Sequence, residues 1–311
     1  MKKYAFGVDI GGTTVKMGLF ETGGALLDMW EIPTRKEENG KYILKDIAEA
    51  VEKKLTGKGI SRQDMEGIGV GVPGPVRADG TVLKCVNLGW GIFNVEQELG
   101  RLTGFKVKAG NDANVAALGE MWQGGGRGYK DMVLVTLGTG VGSGVIINEH
   151  ILAGIDGAAG EIGHMTVKTD ETEVCGCGKK GCLEQYTSAN GFARMTGKYL
   201  EQHPDEKTAL KAGCTAKDIC DAAKQGDAIA LKMLNEMGKI LGRGLASVAC
   251  VVNPEVFVIG GGMSKAGEIL LDVIRKSYTE YAFHASRNTP FKLAKLGNNA
   301  GIYGGVKLVI E

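Results

Sequence analysis

Twelve residues near the N-terminus, "DIGGTTVKMGLF" (9–20), set the architecture of this chain. The apolar run "YAFGVDI" (4–10) leads into them, and "VKMGLFE" (15–21) alternates through their second half, with Gly-Gly-Thr between the two. That order predicts strand, tight turn, strand: a β-hairpin whose tip presents backbone N–H groups. The pattern returns 127 residues later in "DMVLVTLGTGVGSGVII" (131–147), where Leu137-Gly138-Thr139-Gly140 lines up with Ile10-Gly11-Gly12-Thr13. The two stretches are only weakly similar residue by residue. They share one pattern, which points to a duplicated unit rather than to chance recurrence of glycine-rich turns.

The segments around the hairpins alternate between helix and strand. "YILKDIAEAVEKKL" (42–55) carries apolar residues at helical spacing, and "GIGVGVPGPV" (67–76) reads as a buried strand running into a Pro/Gly loop. "FKVKAGNDANVAALGEMW" (105–122) reads as a strand, a short loop and a helix beginning near Asp112. In the second half, "AIALKMLNEMGKILGRGLASVACVV" (228–252) is a long helical pattern, "EVFVIGGGMS" (255–264) a strand ending in glycines, and "AGEILLDVIRKSYTEY" (266–281) an amphipathic helix. Strands and helices alternating in two related halves predict an α/β protein of two sheet-centred domains with a cleft between them. "WQGGGRGYKD" (122–131) is the expected crossover.

Composition narrows the class. The 311 residues include 50 glycines, above the usual share of about 7%. They gather behind apolar runs, where tight turns let a backbone approach something closely. A formal net charge of +1 gives no global field for nucleic acid, membrane surface or acidic partners. The basic start "MKKYAFGVDIGG" is broken by Asp9 and is no signal peptide; "LASVACVVNPEVFVIGG" (245–261), the most apolar stretch, is cut by Asn253 and Pro254 and is no membrane span. Seven cysteines, with Cys85, Cys214, Cys220 and Cys250 scattered, suit a reducing, cytoplasmic location.

Two common nucleotide devices are absent: no Gly-x-x-x-x-Gly-Lys-Ser/Thr occurs, and neither glycine cluster spells Gly-x-Gly-x-x-Gly between strand and helix. What the chain offers is a pair of hairpin tips, "DIGGTTVK" and "LGTGVGSG", able to present N–H groups and Thr hydroxyls to phosphate oxygens. Asp9, ending the first strand, stands where a carboxylate would hold Mg²⁺ through water; an Asx turn is the equally good plain role for it.

Asp112 in "AGNDANVAALGE" (109–120) begins the expected helix, where Asp is a favoured N-cap. Asn111 and Asn114 crowd the same turn with more polar groups than a cap requires. Phosphoryl transfer to a hydroxyl needs one carboxylate beside the acceptor to orient it and take its proton, and Asp112 is the candidate base. The molecule that carries that hydroxyl demands several fixed hydrogen-bonding partners. Asn87, Asn111, Asp112, Glu161, His164 and Glu184 are the candidates, with a turn role as the rival reading for Asn87.

"HMTVKTDETEVCGCGKKGCLEQ" (164–185) puts three cysteines into eight positions, with a histidine eleven residues before the first. A disulfide would strand one thiol, and no Cys-x-x-Cys occurs. Cys175, Cys177 and Cys182 with His164 form a Cys₃His set suited to tetrahedral Zn²⁺, with Gly176, Gly178 and Gly181 supplying the turns. With no open coordination position the metal is expected to be structural, ordering both Glu161 and Glu184. His164 is expected to give one ring nitrogen to zinc and the other to an acceptor hydroxyl.

Taken together, "DIGGTTVKMGLF", "LVTLGTGVGSGVI" and "VFVIGGGMS" resemble the nucleotide-contact segments of the sugar kinase/actin-like ATPase superfamily. "GEIGHMTV" followed by "CGCGKKGCLE" resembles the ROK family, and "VNLGW", "NDANVAALGEMW" and "LGNNAGIYGG" extend the likeness nearly end to end, towards its bacterial glucokinases. The resemblance implies two ribonuclease-H-like domains, a small one spanning residues 1–118 plus 298–311 and a large one spanning 119–297. It implies that Gly11, Gly12, Thr13, Thr14 and Thr139, with Lys16, Gly138 and Gly140, cradle the triphosphate of ATP, and that Gly261 and Gly262 lie against the nucleoside. It assigns Asp112 as the catalytic base and Asn111, Asp112, Glu161, His164 and Glu184 as sugar ligands. The expected reaction is the glycolytic phosphorylation of glucose to glucose 6-phosphate, in a homodimer or higher homo-oligomer. Another hexose (fructose, mannose or an N-acetylhexosamine) is the nearest alternative. A ROK sugar-sensing repressor is the distant one, since it needs a DNA-binding helix-turn-helix ahead of the first strand and a basic patch.

Overall fold

The computed structural model describes residues 2–311. Twelve strands run in chain order as β1 (Tyr4–Ile10), β2 (Thr14–Glu21), β3 (Leu26–Pro33), β4 (Met65–Val72), β5 (Thr81–Val82), β6 (Phe93–Asn94), β7 (Val107–Asn111), β8 (Met132–Leu137), β9 (Val141–Ile147), β10 (His150–Ile151), β11 (Val256–Gly260) and β12 (Phe291–Leu293). The two large sheets have the orders β3-β2-β1-β4-β7 and β10-β9-β8-β11-β12. In each, a hairpin strand is followed by two parallel strands reached through helices: β1 with β4 and β4 with β7 in one, β8 with β11 and β11 with β12 in the other. The weak sequence echo of the hairpins is thus a repeat of topology, the two-sheet α/β arrangement of the actin-like ATPase fold.

Chain contacts define two compact units. One takes the chain up to Lys130 with Gly144–Gly160 and Leu296–Glu311; the other takes Asp131–Ser143 and Glu161–Lys295.

The inner strands β1 and β4 are buried on both faces, which is why they read as continuous apolar runs, while the edge strand β3 alternates between half-buried and exposed residues. Phe6, Val8, Val15 and Met17 pack with Ile43, Ile47, Val51 and Leu55 of the helix Ile43–Lys58, while Ala5 and Phe20 pack on the other face with Ile302, Val306 and Val309 of the helix Ala300–Ile310. The helix Ile43–Lys58 stops at Gly59, whose φ of 63° is the left-handed cap. Glycines also do work that the turn reading did not foresee. A β-carbon on Gly7 would fall 1.8 Å from the Ile302 carbonyl oxygen, one on Gly69 1.7 Å from that of Gly305, and one on Gly304 1.7 Å from that of Val115. Backbone-to-backbone approach of this kind seats the C-terminal helix on the sheet and against the helix Asp112–Gln123.

The strand and helix around Asp112 differ from expectation in one respect: no loop separates them, because Asn111 both ends β7 and caps the helix. Glu120, buried in that helix, accepts N–H bonds from Gly125 at 2.7 Å and Leu296 at 2.8 Å, tying the glycine-rich link to the C-terminal segment. In the second unit, the helix Ala228–Val252 opens on Asp227, which accepts the Ala230 N–H at 2.9 Å, and ends at Asn253. Among the described residues no helix is long and apolar enough to cross a membrane.

Candidate active site and metal centre

Parallel pairing in the first sheet brings two acids together. Asp9 pairs with Gly71, and Gly71 with Gly110, so the ends of β1, β4 and β7 stand side by side, with Asp112 two residues past Gly110. A β-carbon on Gly71 would lie 3.5 Å from Asp9 Oδ1 and 3.6 Å from Asp112 Cα, so this position adjoins both acidic residues. Gly301 of the C-terminal helix covers Asp9 from the other side, its would-be β-carbon 2.6 Å from Asp9 Cγ. Burial, then repulsion from Asp112, pushes the Asp9 carboxyl from its ordinary 3.8 up to about 6, with Lys16 partly opposing.

The capping role open to Asp112 belongs to Asn111. Asn111 has the extended backbone a cap needs (ψ 141°), and its Oδ1 accepts N–H bonds from Ala113 at 3.0 Å and Asn114 at 3.1 Å. Its Nδ2 donates to the Gly74 carbonyl at 3.2 Å, so most of this amide is engaged in structure. Asp112 is the first helical residue, and its Oδ1 accepts the Ala113 N–H at 2.8 Å.

The first hairpin tip is braced from β3: Thr34 donates its N–H to the Thr13 carbonyl at 2.9 Å and its hydroxyl to the Gly11 carbonyl at 2.8 Å. The Gly11 N–H goes to the Thr14 carbonyl at 2.9 Å and is spent inside the turn, while Thr13 and Thr14 are exposed. Lys16 donates to the Asn298 carbonyl at 3.0 Å and Asn299 Oδ1 at 3.3 Å. Sequence reading passed over Lys36, whose Nζ lies 3.8 Å from where a Gly12 β-carbon would stand; the two intervening strands, β2 and β3, hide that proximity. Asn87 is exposed on the short turn Val86–Leu88.

The second unit carries the remaining predicted residues. Gly138, Thr139 and Gly140 form the tip between β8 and β9, closed by Gly138 N–H to the Gly140 carbonyl at 3.0 Å. Gly261, just past β11 with φ of 79°, abuts Leu137 so closely that a β-carbon would fall 2.5 Å from its carbonyl oxygen. Tip and Gly261–Gly262 therefore converge.

Four ligand atoms of His164, Cys175, Cys177 and Cys182 lie within 4.8 Å of one another. Cys177 Sγ is 3.6 Å from Cys182 Sγ, and Cys175 Sγ is 3.8 Å from His164 Nδ1. Ligands about 2.3 Å from a tetrahedral zinc stand about 3.7 Å apart, so the set fits the ion. Backbone bonds hold the two arms of the loop together: Leu183 N–H to the Met165 carbonyl at 2.8 Å and Val167 N–H to the Gly181 carbonyl at 2.7 Å. Lys179, unforeseen, pins the histidine through its carbonyl at 2.8 Å, and Gln185 Oε1 accepts the Cys182 N–H at 3.0 Å. Of the three loop glycines, Gly178 (φ 86°) and Gly181 (φ 72°) are left-handed turns; Gly176 is not among them. Burial and the neighbouring thiols push the Cys182 thiol up to about 12, a proton that a bound dication would displace.

Glu161 is exposed at the head of the short turn Ile162–His164. Glu184 is half-buried and accepts the Val141 N–H at 3.0 Å. A groove of about 720 Å³ on the same unit, lined by Met165, Lys168, Tyr186, Arg194 and Arg243, contains none of the predicted site residues.

Known proteins resemble this chain nearly end to end. The ROK family pattern matches residues 5–311. A glucokinase of Halalkalibacterium halodurans is 45% identical over 99% of this chain and 95% of its own, and one of Streptomyces coelicolor is 35% identical over 98% and 97%. The crystal structure of a ROK family glucokinase from Streptomyces griseus in complex with glucose and AMPPNP superposes with a TM-score of 0.74 at 33% identity, covering 98% of both chains.

Proposed function

The chain belongs to the ROK family, and from that premise we propose that this ATP-dependent hexose kinase converts glucose to glucose 6-phosphate with Asp112 as general base. The observation that carries the reading is the Asp9–Asp112 pair at the ends of parallel strands, where α/β sheets bind their ligands. Asp112 accepts the proton of the sugar's 6-hydroxyl as that oxygen attacks the γ-phosphorus. The bond from that phosphorus to the β-phosphate bridging oxygen breaks, and ADP leaves.

Gly11, Gly12, Thr13, Thr14, Lys16, Gly138, Thr139 and Gly140 are assigned to the triphosphate and Gly261 and Gly262 to the nucleoside. Asn87, Asn111, Asp112, Glu161, His164 and Glu184 are assigned to the sugar. Two half-buried acids that repel one another suit a divalent cation, and Asp9 would hold Mg²⁺ through water; the cation would offset triphosphate charge. His164, Cys175, Cys177 and Cys182 would hold a structural Zn²⁺, which supplies rigidity to the loop carrying Glu161 and Glu184. The small and large domains are drawn at 1–118 plus 298–311 and at 119–297. The enzyme is assigned to the cytoplasm. It is assigned as a homodimer or higher homo-oligomer, consistent with the exposed apolar side chains of Val251, Tyr281 and Phe283.

A coupled assay with Mg-ATP and a panel of hexoses tests the assignment. Glucose is expected to give the highest kcat/KM. A preference for mannose, fructose or an N-acetylhexosamine would reassign the sugar and keep the chemistry, and no turnover on any hexose would remove the reading. Light scattering with size-exclusion chromatography tests assembly.

A further inference from the structure

Glu184 bonds in two directions. Its Oε2 accepts the N–H of Val141, the residue directly after the Gly138-Thr139-Gly140 tip, at 3.0 Å. Its Oε1 lies 3.5 Å from Cys175 Sγ, on the side of the thiol–imidazole cluster. The reach to Val141 depends on Gly140: a β-carbon there would fall 2.3 Å from Oε2 and drive the carboxylate away. Five residues past Glu184, Ala189 donates its N–H to the Gly138 carbonyl at 2.8 Å. The tip is therefore held at both ends, at Gly138 and at Val141, by the segment that follows Cys182. Glycines and an exposed Thr139 have no packing of their own to fix the tip, so these two bonds set where its donors point.

We propose that Glu184 is a positioning residue for the nucleotide hairpin and couples it to the hexose. Oε2 keeps Val141 in place while a sugar hydroxyl on Oε1 orders the carboxylate, so that bound hexose strengthens the hairpin's hold on a triphosphate. By linkage, the triphosphate strengthens hexose binding by the same factor. The coupling rests on the kinase reading given above; the hold of Glu184 on Val141 does not.

The test is calorimetric titration of the full-length, zinc-loaded protein with Mg-AMPPNP, with and without saturating glucose. In the unaltered protein glucose is expected to tighten the Kd by about fivefold or more. Glu184→Ala is expected to weaken the sugar-free Kd roughly three- to tenfold, through loss of a charge-assisted bond, and to abolish the glucose effect. Glu184→Gln keeps a carbonyl oxygen for the Val141 N–H and is expected to hold the sugar-free Kd within about twofold. Gly140→Ala, which displaces the carboxylate sterically, is expected to reproduce the alanine effect and serves if Glu184→Ala does not fold. Sugar-free affinities that match the unaltered protein in both Glu184→Ala and Gly140→Ala would overturn the positioning role. A glucose effect that persists in full in Glu184→Ala would overturn the coupling. Failure of the unaltered protein to phosphorylate any hexose would instead remove the kinase reading and the coupling with it, while the sugar-free comparison still decides the hold on Val141.

Discussion

The two halves share a strand order, yet they hold their candidate site residues by opposite means. On the first unit Asp9, Asn111 and Asp112 stand on strand ends and a helix start, and the register Asp9–Gly71–Gly110 alone sets their spacing. On the second, Glu161, His164 and Glu184 ride on an irregular segment with two short turns, where four side chains able to hold a metal ion come within 4.8 Å of one another. Ladder hydrogen bonds supply position in one half. In the other, scattered backbone bonds between loop arms, such as Leu183 N–H to the Met165 carbonyl, stand beside a close cluster of three thiols and an imidazole.

If that contrast is right, perturbations should separate by half. The largest effect is expected from Asp112→Asn. With the fold intact and the helix already capped by Asn111, kcat should fall about 10³-fold while glucose affinity, measured by calorimetry, changes little. A variant that keeps a tenth of its turnover would deny Asp112 the role of base. Next comes the metal. Chelation, or Cys177→Ala, should leave zinc absent by elemental analysis, lower the melting temperature by roughly 5–10 °C and weaken glucose binding by about tenfold or more. Undiminished sugar affinity in zinc-free protein would show that the loop stands by itself.

Gly304→Ala tests the half held by regular structure. Its β-carbon would fall 1.7 Å from the Val115 carbonyl oxygen, so the C-terminal helix must lift from the helix Asp112–Gln123. Urea unfolding should show a loss of about 2–3 kcal/mol, with zinc content unchanged. Zinc loss in this variant would mean that the halves are not independent in stability.

The smallest expected effect is that of pH. The native carboxyl of Asp9 titrates at about 6 against an ordinary 3.8. Between these values the native state binds more protons than the unfolded chain, so stability falls as pH rises from about 4 to about 6. Asp9→Asn should remove that slope, read as the difference between melting temperatures at pH 4 and pH 7. A slope that survives the substitution would assign it to another group.

The legible parts of the sequence were those where local pattern and tertiary role coincide. Apolar runs bounded by glycines gave the hairpins, and helical spacing predicted 42–55 and 228–252 close to the observed Ile43–Lys58 and Ala228–Val252. The Cys₃His spacing announced its cluster, because three thiols in eight positions have few other uses in a reduced chain. Illegible parts depend on residues far apart in the chain. Nothing near Gly7 or Gly69 in sequence signals the helix that lies against them, nor does anything near Gly12 signal Lys36. The cap at Asn111 was hidden too, since Asn and Asp side by side satisfy the same local rule.

Sequence alone determined the alternation of strands and helices, the duplicated hairpins and the identity of the clustered ligands, since turn chemistry, periodicity and donor type are properties of neighbouring residues. Only the tertiary structure decided that Asp9 and Asp112 come into electrostatic range of one another, that Asn111 rather than Asp112 caps its helix, and that Glu184 reaches Val141 across Gly140. Those are distances between segments brought together by sheet register and helix packing, and they exist only once the chain has closed on itself.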